Sequence, residues 1–255
     1  MKIAFTKYQG AGNDFIIIDN RDLKFPQTDT SLILKMCDRR FGIGADGLIL
    51  LEKDEVYDFK MIYFNADGNQ SSMCGNGGRC IVAFAKELGM IQSKTNFIAI
   101  DGAHQAELCE DGQVALGMID VDQVEEVQTN QFLLNTGSPH YVVLVKEMPE
   151  DLLSEARKIR NSERFIKDGV NINFVKLGEE NTLQIRTYER GVEAETLACG
   201  TGAVAAAIVA SKFLNSTKLF IDAQGGRLEV SFEPSFKKVL LKGPAIRVYS
   251  ALYLV

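Results

Sequence analysis

The 255-residue sequence carries one short phrase twice: Met73-Cys74-Gly75-Asn76-Gly77 returns as Ala198-Cys199-Gly200-Thr201-Gly202. Each phrase runs into small, apolar, helix-forming residues, so each cysteine stands at a predicted helix start. The first turn of a helix has unbonded backbone N–H groups and a partial positive charge. It favours a thiolate over a thiol and can hold a carboxylate, while burial pushes a thiol the other way. A sulfur balanced between these effects suits acid–base work near neutral pH. If two such ends address one carbon, one sulfur removes a proton from one face and the other returns a proton to the opposite face. A single Cys-Gly-x-Gly phrase implies no more than a tight strand-to-helix turn around an inert cysteine. Two at matching places favour the chemical reading. Neither phrase ends in Gly-Lys-Ser/Thr, so neither is a P-loop.

The elements that must carry these cysteines repeat as well. The helices are predicted over Gly78–Leu88, closed by Gly89, and over Gly202–Leu214, which is apolar nearly all round and therefore buried. Ahead of them stand Tyr63-Phe64-Asn65-Ala66-Asp67-Gly68 and Tyr188-Glu189-Arg190-Gly191, each a strand leaving into a turn. Behind them, Ile100-Asp101-Gly102 matches Ile221-Asp222-Ala223, and Val114-Ala115-Leu116 matches Val239-Leu240-Leu241. Two further helices are expected at Asp29–Arg40 and Pro149–Asn161, with acidic residues near the start and basic ones near the end. Short β-branched or aromatic runs between Gly, Asp and Asn predict strands such as Ile3–Tyr8, Phe15–Asn20, Leu48–Glu52, Asn173–Lys176 and Leu183–Tyr188. The expected fold is α+β, with two duplicated domains over 1–125 and 126–255 and an acidic linker at Asp120–Asn130. The last strand is free to pack back on the first domain.

Composition narrows the function. The chain is 46% hydrophobic and 24% charged with a net charge of -6, ordinary for a globular protein and unlike the basic face of a nucleic-acid binder. No stretch is long and apolar enough for a membrane span. Lys7, Gln9 and Asn13 interrupt any signal-peptide core, so the expected compartment is the cytoplasm. The cysteines are Cys37, Cys74, Cys80, Cys109 and Cys199, without C-x-x-C spacing, and the histidines are His104 and His140 alone. Neither a disulfide framework nor a zinc site is expected. Cys37, Cys80 and Cys109 read as small buried hydrophobes.

An ordered set of motifs then narrows the family: Gly10-Ala11-Gly12-Asn13-Asp14-Phe15, Arg40-Phe41-Gly42-Ile43-Gly44-Ala45-Asp46-Gly47, Phe64-Asn65-Ala66-Asp67-Gly68, the two cysteine phrases, Gly137-Ser138-Pro139-His140, Asn171-Ile172-Asn173-Phe174 and Glu189-Arg190-Gly191. Nearly end to end, the chain resembles the diaminopimelate epimerases. The resemblance implies two halves, each a curved, mostly antiparallel sheet around a buried central helix, with the active site in the cleft between them. It implies a cofactor-independent epimerase that interconverts LL- and meso-diaminopimelate for lysine and peptidoglycan precursors. Cys74 would be the proton donor and Cys199 the acceptor, with His140 and Glu189 tuning their pKa values. Gly75, Asn76, Gly200 and Thr201 would hold the reacting carboxylate through backbone amides. Asn13, Asn65, Asn171, Glu189 and Arg190 would bind the substrate, with Ser138 and Gly47 at its distal end. Many relatives carry Asn and Gln at those last two positions, so distal recognition is where this chain departs. No metal or cofactor is implied. The only partner is the small-molecule substrate, with no nucleic acid or membrane, and the resemblance is compatible with a homodimer. Two alternatives remain: a related proline- or hydroxyproline-type two-cysteine racemase, and a non-catalytic binding module on the same fold.

Overall fold

The computed structural model describes residues 1–71 and 73–255. The chain forms two compact units, residues 1–116 with 243–255, and residues 117–242. In the first, β1 (Lys2–Gly10) turns tightly into β2 (Asn13–Asp19), and α1 (Thr30–Cys37) leads to β3 (Gly47–Glu52). There follow β4 (Phe59–Asn65), β5 (Gln70–Ser71), α2 (Gly75–Glu87), β6 (Lys94–Ala99), β7 (Gly102–Leu108) and β8 (Val114–Gly117). In the second, β9 (Val124–Gln128), β10 (Gln131–Asn135) and β11 (Pro139–Leu144) precede α3 (Leu152–Arg160) and β12 (Asn171–Leu177). Then come β13 (Thr182–Glu189), β14 (Ala194–Thr196), α4 (Gly200–Leu214), β15 (Lys218–Ala223), β16 (Gly226–Glu233) and β17 (Lys237–Gly243). The final strand, β18 (Ile246–Leu254), belongs to the first unit, where it pairs antiparallel with β1.

The strand pairings of the two units follow one pattern. In unit 1, β1–β2 is antiparallel, β2–β3 parallel, β3–β4 and β4–β5 antiparallel, β4–β6 parallel, and β6–β7–β8 antiparallel. In unit 2 the same sequence of joins runs β10–β11, β11–β12, β12–β13, β13–β14, β13–β15 and β15–β16–β17. Parallel neighbours need a crossover long enough to return the chain to the same end, and each of these joins has its helix: α1 and α3 for the first, α2 and α4 for the second. The edge strand beside β1 is β18, and the one beside β10 is β9. The fold is therefore α+β in two repeats.

The helices differ from their sequence limits for local reasons. Asp29 caps α1 by accepting from Leu32 N–H at 3.0 Å, but the helix stops at Cys37. The Asp38 carboxylate accepts from the N–H groups of Arg40 and Phe41, both at 2.7 Å, and this local turn competes with another helical turn. Asp151 caps α3 on Ser154 N–H, which sets its start at Leu152. Both α2 and α4 begin earlier than expected, directly after Cys74 and Cys199, so each cysteine is itself the N-cap. Gly89, at φ +72°, follows the end of α2, the left-handed position that glycine adopts at least strain. α4 is buried continuously from Gly202 to Ala210, as a helix without a polar face must be. Within the acidic 120–130 stretch, Val124–Gln128 is β9 rather than loop. No helix among the described residues is long and apolar enough to cross a membrane.

Candidate active site

Cys74 follows β5 and opens α2; Cys199 follows β14 and opens α4. The two residues occupy the same place in the repeated topology. Both have extended backbone, at φ -88°, ψ 128° and φ -111°, ψ 115°, as an N-cap requires. Neither sulfur caps its own helix, which leaves the thiols to other partners.

In the first unit, Ala11 and Gly12 turn with φ of 53° and 83°, a two-residue hairpin of the kind that matches strand twist. It delivers Asn13 to the α2 end. The Cys74 thiol donates to Asn13 Oδ1 at 3.5 Å, and Asn76 Nδ2 donates to the same oxygen at 3.3 Å. Asn13 Nδ2 donates to the Asp46 carboxylate. That carboxylate can only accept, so it fixes the Asn13 amide with its oxygen toward Cys74. An acceptor facing a sulfur favours the protonated thiol.

Asp46 sits in a charged cluster. Arg39 bridges it to Asp14, with contacts of 2.7 Å to each carboxylate, and Lys7 pairs with Asp14 at 2.7 Å. Burial pushes the Asp14 carboxyl up, but its bonds from Arg39 and Lys7 outweigh that and hold it at about 2. Behind Asn76 lies Arg79, fully buried, donating to Asn76 Oδ1 at 2.7 Å and to the carbonyls of Gly75 and Pro244. Among the described residues no carboxylate pairs with Arg79. Neither Asp46 nor Arg79 was assigned a role from sequence, although Arg79 lies five residues past Cys74 and Asp46 inside a quoted motif.

In the second unit, Cys199 Sγ lies 3.4 Å from Thr201 Oγ1, and His140 Nε2 lies 2.9 Å from the same hydroxyl. His140 therefore meets Cys199 through Thr201. Burial is the main force on the His140 ring, pulling its pKa down to about 3, and the Arg190 charge adds to it. The ring is neutral at working pH and acts as a hydrogen-bonding group. Thr136 Oγ1 donates to the Thr201 carbonyl at 2.8 Å and steadies the first turn of α4.

Asn171, 3% exposed, spends its amide internally. Its Nδ2 donates to Ser138 Oγ at 2.8 Å and to the Pro139 carbonyl, and its Oδ1 accepts from Arg190 N–H at 2.9 Å. The structure thus places Asn171 as the support of Ser138 and Arg190. Arg190 donates to the Asp168 carbonyl at 3.1 Å and to Ser138 Oγ at 3.5 Å. Glu189 ends β13 and accepts from Thr196 Oγ1 at 2.8 Å. In the first unit Asn65 is half-buried and pairs across the ladder with Gly47. A Cβ on Gly47 would come within 2.5 Å of the Tyr63 ring and 2.6 Å of the Phe64 carbonyl, so this position has no room for a side chain. Cys37 and Cys80 are buried thiols pushed up to about 12 by desolvation; Cys109 is half-exposed rather than buried.

Each half-site offers a thiol at a helix N-terminus, N–H groups of that first turn, and polar side chains within reach of the sulfur. This suits proton transfer beside a bound carboxylate. Comparison with known proteins points the same way. The family model described as diaminopimelate epimerase matches residues 5–124 and 132–248. The diaminopimelate epimerase of Flavobacterium psychrophilum is 55% identical over 95% of this chain and 97% of its own. That of Chlorobaculum tepidum is 42% identical, over 94% and 97%. Among solved structures, a phenazine biosynthesis protein of the PhzF family from Bacillus anthracis superposes with a TM-score of 0.74 at 16% identity, covering 100% of both chains. A hydroxyproline epimerase from Agrobacterium vitis gives 0.67 at 15% identity, covering 98% of this chain and 92% of its own. At such identities these two share the fold alone.

Proposed function

The chain belongs to the diaminopimelate epimerase family, and on that premise we propose that it interconverts LL- and meso-diaminopimelate by proton transfer between Cys74, Cys199 and the substrate α-carbon. The observation that carries this reading is the equivalence of the two cysteines, each the N-cap of a long helix at the same point of a repeated topology. One thiolate takes the α-proton and the other thiol supplies a proton to the opposite face; the roles exchange in the reverse direction. The Asn13 acceptor beside Cys74 supports Cys74 as the thiol at the start of a cycle, which leaves Cys199 as the thiolate.

An amino-acid α-proton is very weakly acidic, so positioning and electrostatics must lower the barrier. Holding sulfur and carbon in attack geometry contributes roughly 7–11 kcal/mol. N–H groups of Gly75, Asn76, Gly200 and Thr201 at the helix ends stabilise charge that grows on the carboxylate. Arg190 suits a substrate carboxylate through its planar fork, Glu189 an ammonium, and Asn13, Asn65 and Ser138 the remaining polar groups. Among the described residues no disulfide forms, which supports a reducing, cytoplasmic compartment. A homodimer is supported by β18, an edge strand whose Ile246, Val248, Leu252 and Leu254 are more than half exposed.

The test is epimerisation of LL-diaminopimelate in heavy water, followed by chiral separation and deuterium at the α-carbon. Cys74→Ala and Cys199→Ala should each lose epimerisation by several orders of magnitude. Full activity in either variant would sink the two-thiol reading. Turnover of proline but not diaminopimelate would overturn the substrate.

A further inference from the structure

Behind the Cys199 half-site runs a row of hydrogen bonds whose direction is fixed at its far end. Thr187 and Asn173 face each other in the β12–β13 ladder, and Thr187 Oγ1 donates to Asn173 Oδ1 at 3.0 Å. The other end of the amide, Asn173 Nδ2, lies 3.4 Å from the Tyr141 carbonyl and 3.0 Å from His140 Nδ1. A backbone carbonyl can only accept. Turning the amide over would set oxygen against oxygen at Tyr141, so Nδ2 faces His140 as a donor. All three side chains are closed off from solvent, with Asn173 and His140 at 0% and Thr187 at 3% exposure. The space is also shaped for this amide. A Cβ on Gly202, in the first turn of α4, would lie 2.6 Å from Asn173 Oδ1, and only glycine lets the helix end and the amide approach so closely.

The consequence follows bond by bond. His140 Nδ1 accepts, so in the neutral ring the proton is on Nε2. Nε2–H donates to Thr201 Oγ1 at 2.9 Å. With one lone pair engaged, the Thr201 hydroxyl directs its own proton to Cys199 Sγ at 3.4 Å. A donor at a sulfur favours the thiolate.

We propose that Asn173, oriented by Thr187, fixes the Nε2–H tautomer of His140 and so makes Thr201 a hydrogen-bond donor to the Cys199 thiolate. Asn173 and Thr187 are positioning residues: they act through His140 and Thr201. The inference rests on the reading of Cys199 as a reacting thiol. The charges at this end of β13, Arg190 and Glu189, are common to the wild type and every variant below.

The first measurement needs no substitution in the chain of bonds. His104 and His140 are the only histidines, so long-range nitrogen–proton NMR of the full enzyme resolves both rings, with His104→Gln for assignment. The proton of His140 should sit on Nε2 throughout the neutral range; a proton on Nδ1, or on both nitrogens, overturns the proposal. The second uses Asn173→Asp, which puts an acceptor where the donor was. The His140 proton should move to Nδ1, and Thr201 must then donate to Nε2 rather than to sulfur. Losing a hydrogen bond at a charged group moves its pKa by about one unit, a tenfold change in the ionised fraction. The acidic limb of the kcat/KM profile should therefore move up by about one pH unit and kcat at neutral pH fall about tenfold, with KM nearly unchanged. Thr187→Val, which removes only the hydroxyl, should shift the limb in the same direction and by less. An acidic limb that stays in place although the His140 proton has moved overturns the proposal, because the row would then not reach the sulfur. A fully active Cys199→Ala enzyme would instead refute the underlying reading, and the tautomer measurement would be untouched by it.

Discussion

At the residue scale, the two thiols meet partners of opposite sense. Cys74 faces an oxygen held in place by Asp46, and Cys199 faces a hydroxyl backed by a neutral His140. Arg79 completes the asymmetry. It is a buried cation with no carboxylate partner among the described residues. Burial lowers its pKa, and the thiols of Cys80 and then Cys74 are the groups whose ionisation would compensate it. Cys80 is itself held near 12, so the field of Arg79 falls usefully on Cys74. It keeps the thiolate within reach when Cys74 must act as the base. Arg79→Met should therefore raise the Cys74 pKa by about a unit or more. Iodoacetamide alkylation of Cys74, followed by peptide mapping across pH, should show its midpoint moving upward. An unmoved midpoint would make Arg79 a packing residue only. Thr201→Val should lose most of the activity that Thr201→Ser retains, because only the hydroxyl joins His140 to the sulfur; equal rates would refute that link.

At the element scale, β11, β12 and β13 bury a titratable ring beside the closed-off side chains of Asn173 and Thr187. His140 is held neutral, with its pKa lowered from 6.5 to about 3 mainly by burial. The unfolded chain binds the proton first as pH falls, so this ring destabilises the fold progressively below about pH 6.5. The loss is about 1.4 kcal/mol per pH unit and continues down to about pH 3. Asp14 adds its own loss only below about pH 4, as its carboxylate protonates. Denaturant unfolding followed by circular dichroism should show the wild type losing about 2 kcal/mol between pH 6.5 and 5, and His140→Gln losing much less over that interval. Equal slopes would mean that His140 titrates in the folded state. Much of this framework was legible in the sequence. The cysteine phrases, the apolar α4 and the acidic starts of α1 and α3 all follow from local composition. Asn173 stood in a quoted motif and at the start of a predicted strand. What it does was not visible, because its partners Thr187 and His140 come from neighbouring strands. The value of Asp46 was hidden for the same reason, since Asn13 and Arg39 reach it from elsewhere in the chain; that of Arg79 lies in its complete burial.

At the scale of the whole molecule, the duplicated topology leaves one asymmetry in how its edges are made. The strand beside β10 is β9, which precedes it in sequence, whereas the strand beside β1 arrives from the far end of the chain as β18. β9 was not read from sequence as a strand, since it lies in an acidic stretch; a last strand packing back on the first domain was expected, although β18 lacks alternation. That missing alternation matters. A strand packed on one face alternates apolar and polar residues, but β18 exposes Ile246, Val248, Tyr249, Leu252 and Leu254 together. Soluble proteins guard such edges with charge, proline or a bulge; here Arg247 is the one charged residue in the strand. An apolar nine-residue edge of this kind is expected to be covered by an identical copy, which closes by two-fold pairing without open-ended growth. Sedimentation of the purified enzyme should give a dimer at micromolar concentration. The double variant Val248→Lys with Leu252→Lys should give monomers that keep the wild-type circular dichroism spectrum. A monomeric wild type, or a variant that remains dimeric, would show that this edge is not the interface.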